Sequence, residues 1–116
     1  MLVDDEQDII SIFTRALVRK GIPVIGFTSP ISALREFQQN PSKYALVVSD
    51  IKMPHMDGWE LISHIKRLKA AVKVIMISAF EIDREMARGA AVDDYLRKPL
   101  SIDQLTNVIH RHLSGP

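Results

Sequence analysis

Carboxylate, ammonium and hydroxyl side chains stand where the short apolar segments of this sequence end. Asp4 and Asp5 follow the first segment, Asp50 follows the third, Ser78 the fourth, and Lys98 comes shortly after the fifth. Three carboxylates in one place repel one another at neutral pH and need a compensating cation, and oxygen ligands suit Mg²⁺. A carboxylate is also a competent nucleophile toward phosphorus, while lysine and serine can hydrogen-bond phosphoryl oxygens. These residues therefore predict Mg²⁺-dependent phosphoryl transfer.

The elements that must position these side chains alternate between short segments rich in Val and Ile and longer segments of helical period. This pattern is typical of βα units that feed a parallel sheet. The predicted strands are Met1–Val3, Ile22–Phe27, Tyr44–Val48, Val72–Ile77 and Tyr95–Leu96. The apolar stripes of the predicted helices comprise Ile9, Ile10, Ile12, Phe13, Leu17 and Val18; Ile31, Leu34 and Phe37; Leu61, Ile62, Ile65 and Leu68; and Ile102, Leu105, Val108, Ile109 and Leu113. In such a sheet the site forms beyond the carboxyl ends of the strands.

Local signals mark several helix boundaries. Ser29 followed by Pro30 predicts one helix start, and Ser101 with Gln104 three residues later has the spacing of a capping box. Breaks between elements are predicted at Gly21, at Asn40-Pro41 and at Gly58. The weakest pattern covers Glu81–Val92, where we expect only a short helix.

Composition narrows the class of protein. The 116 residues suffice for one hydrophobic core, and we expect a single domain over 1–116. The net charge of +1 provides no field that would attract nucleic acid or an anionic membrane, and no apolar run reaches the roughly 20 residues needed to cross a bilayer. The absence of cysteine excludes disulfides and thiol catalysis, and favours a cytoplasmic location.

Each candidate residue also has a purely structural interpretation. The Asp4-Asp5-Glu6 segment could cap the helix that starts near Gln7. Asp50 could be an ordinary loop carboxylate, Ser78 a strand-end hydroxyl bonded to the backbone, and Lys98 a solvated side chain. Four independent strand ends would then carry suitable groups by accident, which favours the functional interpretation. The histidines are predicted to be surface residues: His55, His64, His110 and His112.

The segments that carry these residues resemble the receiver domains of bacterial and archaeal response regulators over nearly the whole chain. They are LVDDE at 2–6, VVSDIKMPHMDG at 47–58, ISA at 77–79 and DDYLRKP at 93–99. The resemblance implies an α/β, flavodoxin-like (βα)₅ fold, with a five-stranded parallel sheet of order 2-1-3-4-5 and helices on both faces.

The same resemblance implies the role of each site residue. Asp50 is the phosphoacceptor, and Mg²⁺ is held by Asp5, by the carboxylate of Asp50 and by the backbone carbonyl of Lys52, with Asp4 acting through water. Lys98 contacts the phosphoryl group, and its bond to the following proline is usually cis. Ser78 and Tyr95 are the switch residues, although Tyr95 could instead be a half-buried strand aromatic.

The implied function is phosphorelay signalling. A sensor histidine kinase or phosphotransfer protein supplies the phosphoryl group. The surface made by the fourth helix, fifth strand and fifth helix of the fold then controls an effector or output domain. Phosphorylation could also lead to a homodimer. Phe80 either packs inward or contacts a partner. Neither direct contact with nucleic acid or membrane nor turnover of a free substrate is expected.

Two alternatives remain open. The first is a degenerate receiver that binds proteins without phosphorylation. The second is a phosphatase with an aspartyl nucleophile, although Lys52 stands where such an enzyme would need a second acid.

Overall fold

Strands and helices alternate along the described part of the computed structural model, which comprises residues 1–80 and 92–113. The elements are β1 (Leu2–Val3), α1 (Gln7–Arg19), β2 (Gly26–Phe27), α2 (Pro30–Gln39), a 3₁₀ turn (Pro41–Lys43), β3 (Leu46–Asp50), α3 (Gly58–Leu68), β4 (Lys73–Ser78), β5 (Asp94–Arg97) and the C-terminal helix (Ile102–Leu113). The strands form one parallel sheet of order β2-β1-β3-β4-β5. The predicted fold class and strand order are confirmed.

The alternation of side chains along the two central strands builds a core on each face of the sheet. Val47 of β3 and Val74 of β4 face the layer of α2 and α3, where Phe37 and Ile65 are fully buried. The intervening residues of β3 and β4 face α1 and the C-terminal helix; they include Leu46, Val48, Ile75 and Ile77. Both central strands are therefore apolar on both sides, as a doubly covered parallel sheet requires.

The predicted helix starts are found where their capping residues stand. The Ser29 hydroxyl accepts a hydrogen bond from the Ser32 amide, at 3.2 Å, and Pro30 is the first residue of α2. Ser101 and Gln104 form the reciprocal capping box, with distances of 3.0 Å and 3.3 Å. These contacts satisfy amides that the first helical turns leave unpaired.

All five predicted strands differ from the observed strands at one end or both, and the second and third differ by more than one residue. The second strand was predicted to start at Ile22, but β2 comprises only Gly26 and Phe27, because it pairs only with the two residues of β1. The third strand was predicted over Tyr44–Val48, whereas β3 starts at Leu46 and continues to Asp50, because β4 pairs with it from Lys73 as far as Ile77. Asp50 therefore belongs to the sheet and not to a loop.

Several residues assigned to the buried stripes are exposed instead, and those assignments were wrong. Ile12 is 62% exposed and Val18 is 57% exposed, while Ile10 and Leu17 are buried. Each residue advances about 100° around a helix, so Ile12 points away from the face of Ile10. The other exposed members are Ile31, Leu68 and Leu113.

The short helix predicted over Glu81–Val92 lies outside the described residues, except for Val92, which packs against the core under α2 and α3. Within the described ranges, every helix is too short or too polar to cross a membrane.

Candidate functional site

The pairing of β3, β4 and β5 brings the predicted site residues to one edge of the sheet. Asp50 is in register with Ile77, and Ser78 is in register with the residue before Lys98. The backbone continues this alignment past the strand ends, since the Ile51 amide donates to the Ile77 carbonyl at 3.1 Å and the Lys98 amide donates to the Ser78 carbonyl at 2.8 Å. Parallel pairing thus places an acid, a hydroxyl and an ammonium side by side.

Asp4, Asp5 and Asp50 form an acidic cluster at this edge. One carboxylate oxygen from each lies within 4.8 Å of the other two. Asp4 is 1% exposed and Asp50 is 7% exposed, whereas Asp5 faces solvent. The Asp4 Oδ1 atom accepts a hydrogen bond from the Glu6 amide at 2.9 Å, while Glu6, the N-cap of α1, makes no capping bond with its own side chain. Asp4 therefore orders the entry to α1 and still keeps its second oxygen in the site.

Lys98 connects the two buried acids. Its Nζ atom lies 3.1 Å from Asp4 Oδ2 and 3.2 Å from Asp50 Oδ2, and a third carboxylate, that of Glu6, is 3.9 Å away. The Lys98-Pro99 peptide bond is cis, as the resemblance implied. The positive charge of Lys98 is thus shared between two carboxylates that would otherwise repel each other.

Burial and charge set the protonation of these groups. Burial raises the pKa of Asp50, the charge of Asp4 raises it further, and Lys98 acts in the opposite direction. Burial alone would lower the pKa of Lys98, but hydrogen bonds and charge from Asp4 and Asp50 outweigh it, so the pKa of Lys98 is raised. Lys98 therefore stays protonated at neutral pH and balances part of the acidic charge.

A cleft of about 260 Å³ opens above the Asp50 carboxylate. It is lined by Asp5, Glu6, Asp50, Ile51, Lys52, Ser78, Ala79, Phe80 and Lys98. Ser78 is buried, and its hydroxyl accepts a hydrogen bond from the Phe80 amide at 3.0 Å. Phe80 is 55% exposed, and the Lys52 ammonium lies 4.3 Å from the centre of its ring, a cation–π contact. Phe80 therefore does not pack inward, and its contact with a partner stays a prediction.

Gly58 contacts the backbone at the end of β3. The Gly58 amide donates to the Ile51 carbonyl at 2.7 Å. A Cβ atom at this position would overlap the backbone oxygen of Asp50 and would lie 2.6 Å from Met76 Cε. Only glycine permits this approach of α3 to the end of β3, which fixes the position of Asp50.

The donor set fits a hard divalent cation. The three clustered acids offer only oxygen atoms, and the exposed Asp5 leaves one side of the cluster open to solvent. Mg²⁺ prefers oxygen ligands and keeps several waters, which an open cluster allows. Lys52 lines the same cleft, but the role of its backbone carbonyl stays a prediction.

The sequence did not reveal one ionic cluster far from Asp50. His112 Nε2 lies 3.0 Å from Asp94 Oδ2, and Arg111 Nη1 lies 3.2 Å from the same oxygen. His55, His64 and His110 are exposed, as predicted, whereas the side chain of His112 is only 17% exposed. Burial would raise the pKa of Asp94, but the His112 hydrogen bond, a hydrogen bond from the Tyr95 amide and electrostatic contributions from His112 and Arg111 lower it overall. The only sequence signal for this contact is the pair of adjacent basic residues, Arg111 and His112, at the end of the C-terminal helix.

A larger apolar cleft, of about 450 Å³, lies beside Lys98 between α1 and the C-terminal helix. Its walls are mainly hydrocarbon, from residues such as Ile9, Phe13 and Leu105. It shares Asp4 and Lys98 with the acidic site but adds no further nucleophile. The chemistry therefore belongs to the smaller cleft above Asp50.

Comparison with known proteins agrees with this geometry. Residues 1–110 match the family model of the response regulator receiver domain. The two-component response regulator ARR10 of Arabidopsis thaliana is 34% identical over 93% of this chain, which covers 20% of that protein. The alkaline phosphatase synthesis transcriptional regulatory protein PhoP of Bacillus subtilis is 30% identical over 87% of this chain, which covers 42% of that protein. The chain thus spans less than half the length of these relatives.

Solved structures show the same fold. A response regulator receiver domain protein of Clostridium thermocellum aligns with a TM-score of 0.88 at 27% identity, covering 97% of this chain and 91% of that one. Response regulator protein TrrA of Thermotoga maritima, solved in complex with Mg²⁺ and BeF, aligns with a TM-score of 0.86 at 28% identity, covering 97% and 96%. Together with the family match over 1–110, these likenesses show that the chain belongs to the response regulator receiver domain family.

Proposed function

We propose that this receiver domain accepts a phosphoryl group on Asp50 from the phosphohistidine of a sensor histidine kinase or phosphotransfer protein. The observation that carries the proposal is the contact of Lys98 with both Asp4 and Asp50 at the mouth of a cleft that Ser78 also lines. A buried carboxylate next to an ammonium and a hydroxyl has the groups that a phosphoryl acceptor needs.

The proposed reaction exchanges one bond to phosphorus for another. An oxygen of the Asp50 carboxylate attacks phosphorus, the bond from phosphorus to the donor imidazole nitrogen breaks, and a phosphorus–oxygen bond forms. The released imidazole nitrogen takes up a proton. Lys98 donates a hydrogen bond to one phosphoryl oxygen, and the hydroxyl proton of Ser78, which is not used in its bond from the Phe80 amide, is available to another.

Asp4, Asp5 and Asp50 would hold Mg²⁺, together with the backbone carbonyl of Lys52, and Asp4 would act through water. When bound, the ion supplies positive charge that offsets the charge of the incoming phosphoryl group. The support is the oxygen-only cluster within 4.8 Å and the TrrA structure with Mg²⁺ and BeF.

Phosphorylation would shift the population of a two-state surface. In this proposal Ser78 moves toward the phosphoryl group, Tyr95 changes position, and the surface around β5 and the C-terminal helix alters its affinity for an effector, an output domain or a second copy of the chain. Direct binding of nucleic acid and turnover of a free substrate are not part of the proposed role, and a cytoplasmic location is proposed with it.

The test is incubation with acetyl phosphate and Mg²⁺, followed by intact mass measurement. We expect a gain of one phosphoryl group in the wild type and none in Asp50→Asn. Asp103→Asn is the matched control, because Asp103 is 80% exposed and pairs only with Lys20 among the contacts of its carboxylate in the described chain. No gain in the wild type, or an equal gain in Asp50→Asn, would refute the proposal.

The same samples separate the two alternatives. A degenerate receiver would bind its partner equally well with and without Mg²⁺ and acetyl phosphate. A phosphatase would release inorganic phosphate from an external ester over many turnovers. Against the phosphatase stands Lys52, which occupies the position where a second acid would be needed.

A further inference from the structure

An aromatic pair connects α3 with β5. Trp59 stands in the first turn of α3, and its ring centroid lies 6.4 Å from that of Tyr95, with 53° between the ring planes. Both rings are partly buried against the core under α2 and α3. A change in the position of one ring therefore changes the contacts of the other.

The indole of Trp59 has an unmet hydrogen bond. Its Nε1 atom is buried and finds no hydrogen-bond partner among the described residues. An indole nitrogen is a donor only, and a buried donor without an acceptor costs free energy. The conformation described for the pair is thus destabilised relative to one in which an oxygen reaches this N–H.

The phenol of Tyr95 can provide that oxygen. It is the polar atom of the ring that contacts the indole, and a hydroxyl oxygen accepts hydrogen bonds as well as donating one. Burial raises the pKa of Tyr95, so the phenol stays neutral at physiological pH. A movement of this ring that brings its oxygen to the indole N–H would therefore give the indole a hydrogen bond.

We propose that Trp59 is a positioning residue for Tyr95: its ring holds the phenol in the described orientation, and its N–H donates a hydrogen bond to the phenol oxygen once Tyr95 moves on phosphorylation. This inference rests on the proposed function, since it needs Tyr95 to respond to events at Asp50. The unmet bond of the described state then becomes a driving force toward the other state.

The chain contains one tryptophan, so its indole N–H gives one signal in a ¹⁵N–¹H spectrum. We expect Mg²⁺ and beryllofluoride, the pair of ligands present in the TrrA structure, to move the indole proton downfield and slow its exchange with solvent. Tyr95→Phe keeps the ring and removes the oxygen, so the indole proton should not move in that variant. Tyr44→Phe is the matched control, because Tyr44 bonds Glu36 instead and should leave the wild-type shift unchanged.

A double-mutant cycle gives a second readout. Trp59→Phe and Tyr95→Phe should each weaken beryllofluoride binding by about two- to tenfold, the range that one net hydrogen bond supports, and the double variant should lose no more than either one. Losses that multiply, or an indole shift that persists in Tyr95→Phe, would overturn the inference while leaving the proposed function intact. If the wild type binds no beryllofluoride and the amide signals around Asp50 stay unchanged, the proposed function fails, and the inference fails with it.

Discussion

Replacing Lys98 with methionine tests the electrostatics of the site. Met has an unbranched side chain of similar length, so the substitution removes the ammonium but keeps much of the packing. Asp4, 1% exposed, and Asp50, 7% exposed, would then face each other without their shared cation. Uncompensated charges of this kind destabilise the folded state.

Removing one partner of a buried ion pair costs about 3 to 5 kcal/mol. The Lys98 side chain is 22% exposed and solvent screens part of its charge, so we expect a loss of roughly 2 to 4 kcal/mol in the free energy of unfolding near neutral pH without Mg²⁺. The pKa of Asp50 is already raised in the folded state, and it rises further when Lys98 no longer lowers it. Asp50 destabilises the folded variant only while its carboxyl is ionised. The loss of stability caused by Lys98→Met therefore becomes smaller as the pH falls through the folded-state pKa of Asp50.

Urea unfolding of Lys98→Met and the wild type, at about pH 8 and about pH 5 and with and without Mg²⁺, measures these effects. Lys20→Met is the matched control, because Lys20 and Asp103 are 41% and 80% exposed, and its loss should stay below about 0.5 kcal/mol. Mg²⁺ should restore most of the stability of Lys98→Met. A loss equal to that of the control, or one that neither pH nor Mg²⁺ changes, would refute the reasoning.

Further predictions concern the backbone and the distant ionic cluster. Gly58→Ala should lower the stability by about 1 to 3 kcal/mol through overlap with the end of β3, and more than Gly21→Ala, where only the φ of +83° opposes a side chain; equal denaturation midpoints would contradict this. His55 has a φ of +72°, a conformation that glycine adopts more easily. In thermal unfolding, His55→Gly should therefore raise the free energy of unfolding by 0 to about 1 kcal/mol. A clear loss of stability would contradict this. The pKa of Asp94 is lowered in the folded state, so Asp94→Asn should destabilise the chain most near neutral pH and progressively less as the pH falls through that pKa; urea unfolding of the wild type and the variant over this pH range measures the difference, and a loss that does not depend on pH would contradict it.

The sequence predicted the sheet better than the surfaces of its helices. The strand order followed from a resemblance that covers nearly the whole chain. The residues at the strand ends followed from the alternation of short apolar segments with segments of helical period. The burial of Ile12 and Val18 was predicted wrongly. The apolar residues of α1 cover more of the helix surface than the sheet contacts, so those outside the contact are exposed to solvent. The length of β2 was set by pairing with β1, which periodicity along β2 cannot reveal.

The identities of the site residues could be predicted, but their partners could not. Asp4, Asp50 and Lys98 are separated by more than forty residues each, and only the rule that parallel strands end at one edge brings them together. Which oxygens Lys98 contacts depends on its side-chain rotamer, and the sequence contains no signal for that. The same holds for the ring of Phe80 under the Lys52 ammonium and for the contact of His112 with Asp94.

The geometry of Lys98 also bears on how one residue could serve the site before and after phosphorylation. An ammonium has three N–H donors. One N–H donates to Asp50 Oδ2 at 3.2 Å, and Asp4 Oδ2 lies at ion-pair distance, 3.1 Å from the same nitrogen. The donors that are not used in the bond to Asp50 are available to an incoming phosphoryl oxygen, and the ion pair with Asp4 can persist. In the proposed reaction the phosphoryl group would take over the bond to Asp50 as well, so Lys98 would keep its position and exchange only its acceptors, which avoids the cost of moving a partly buried charge.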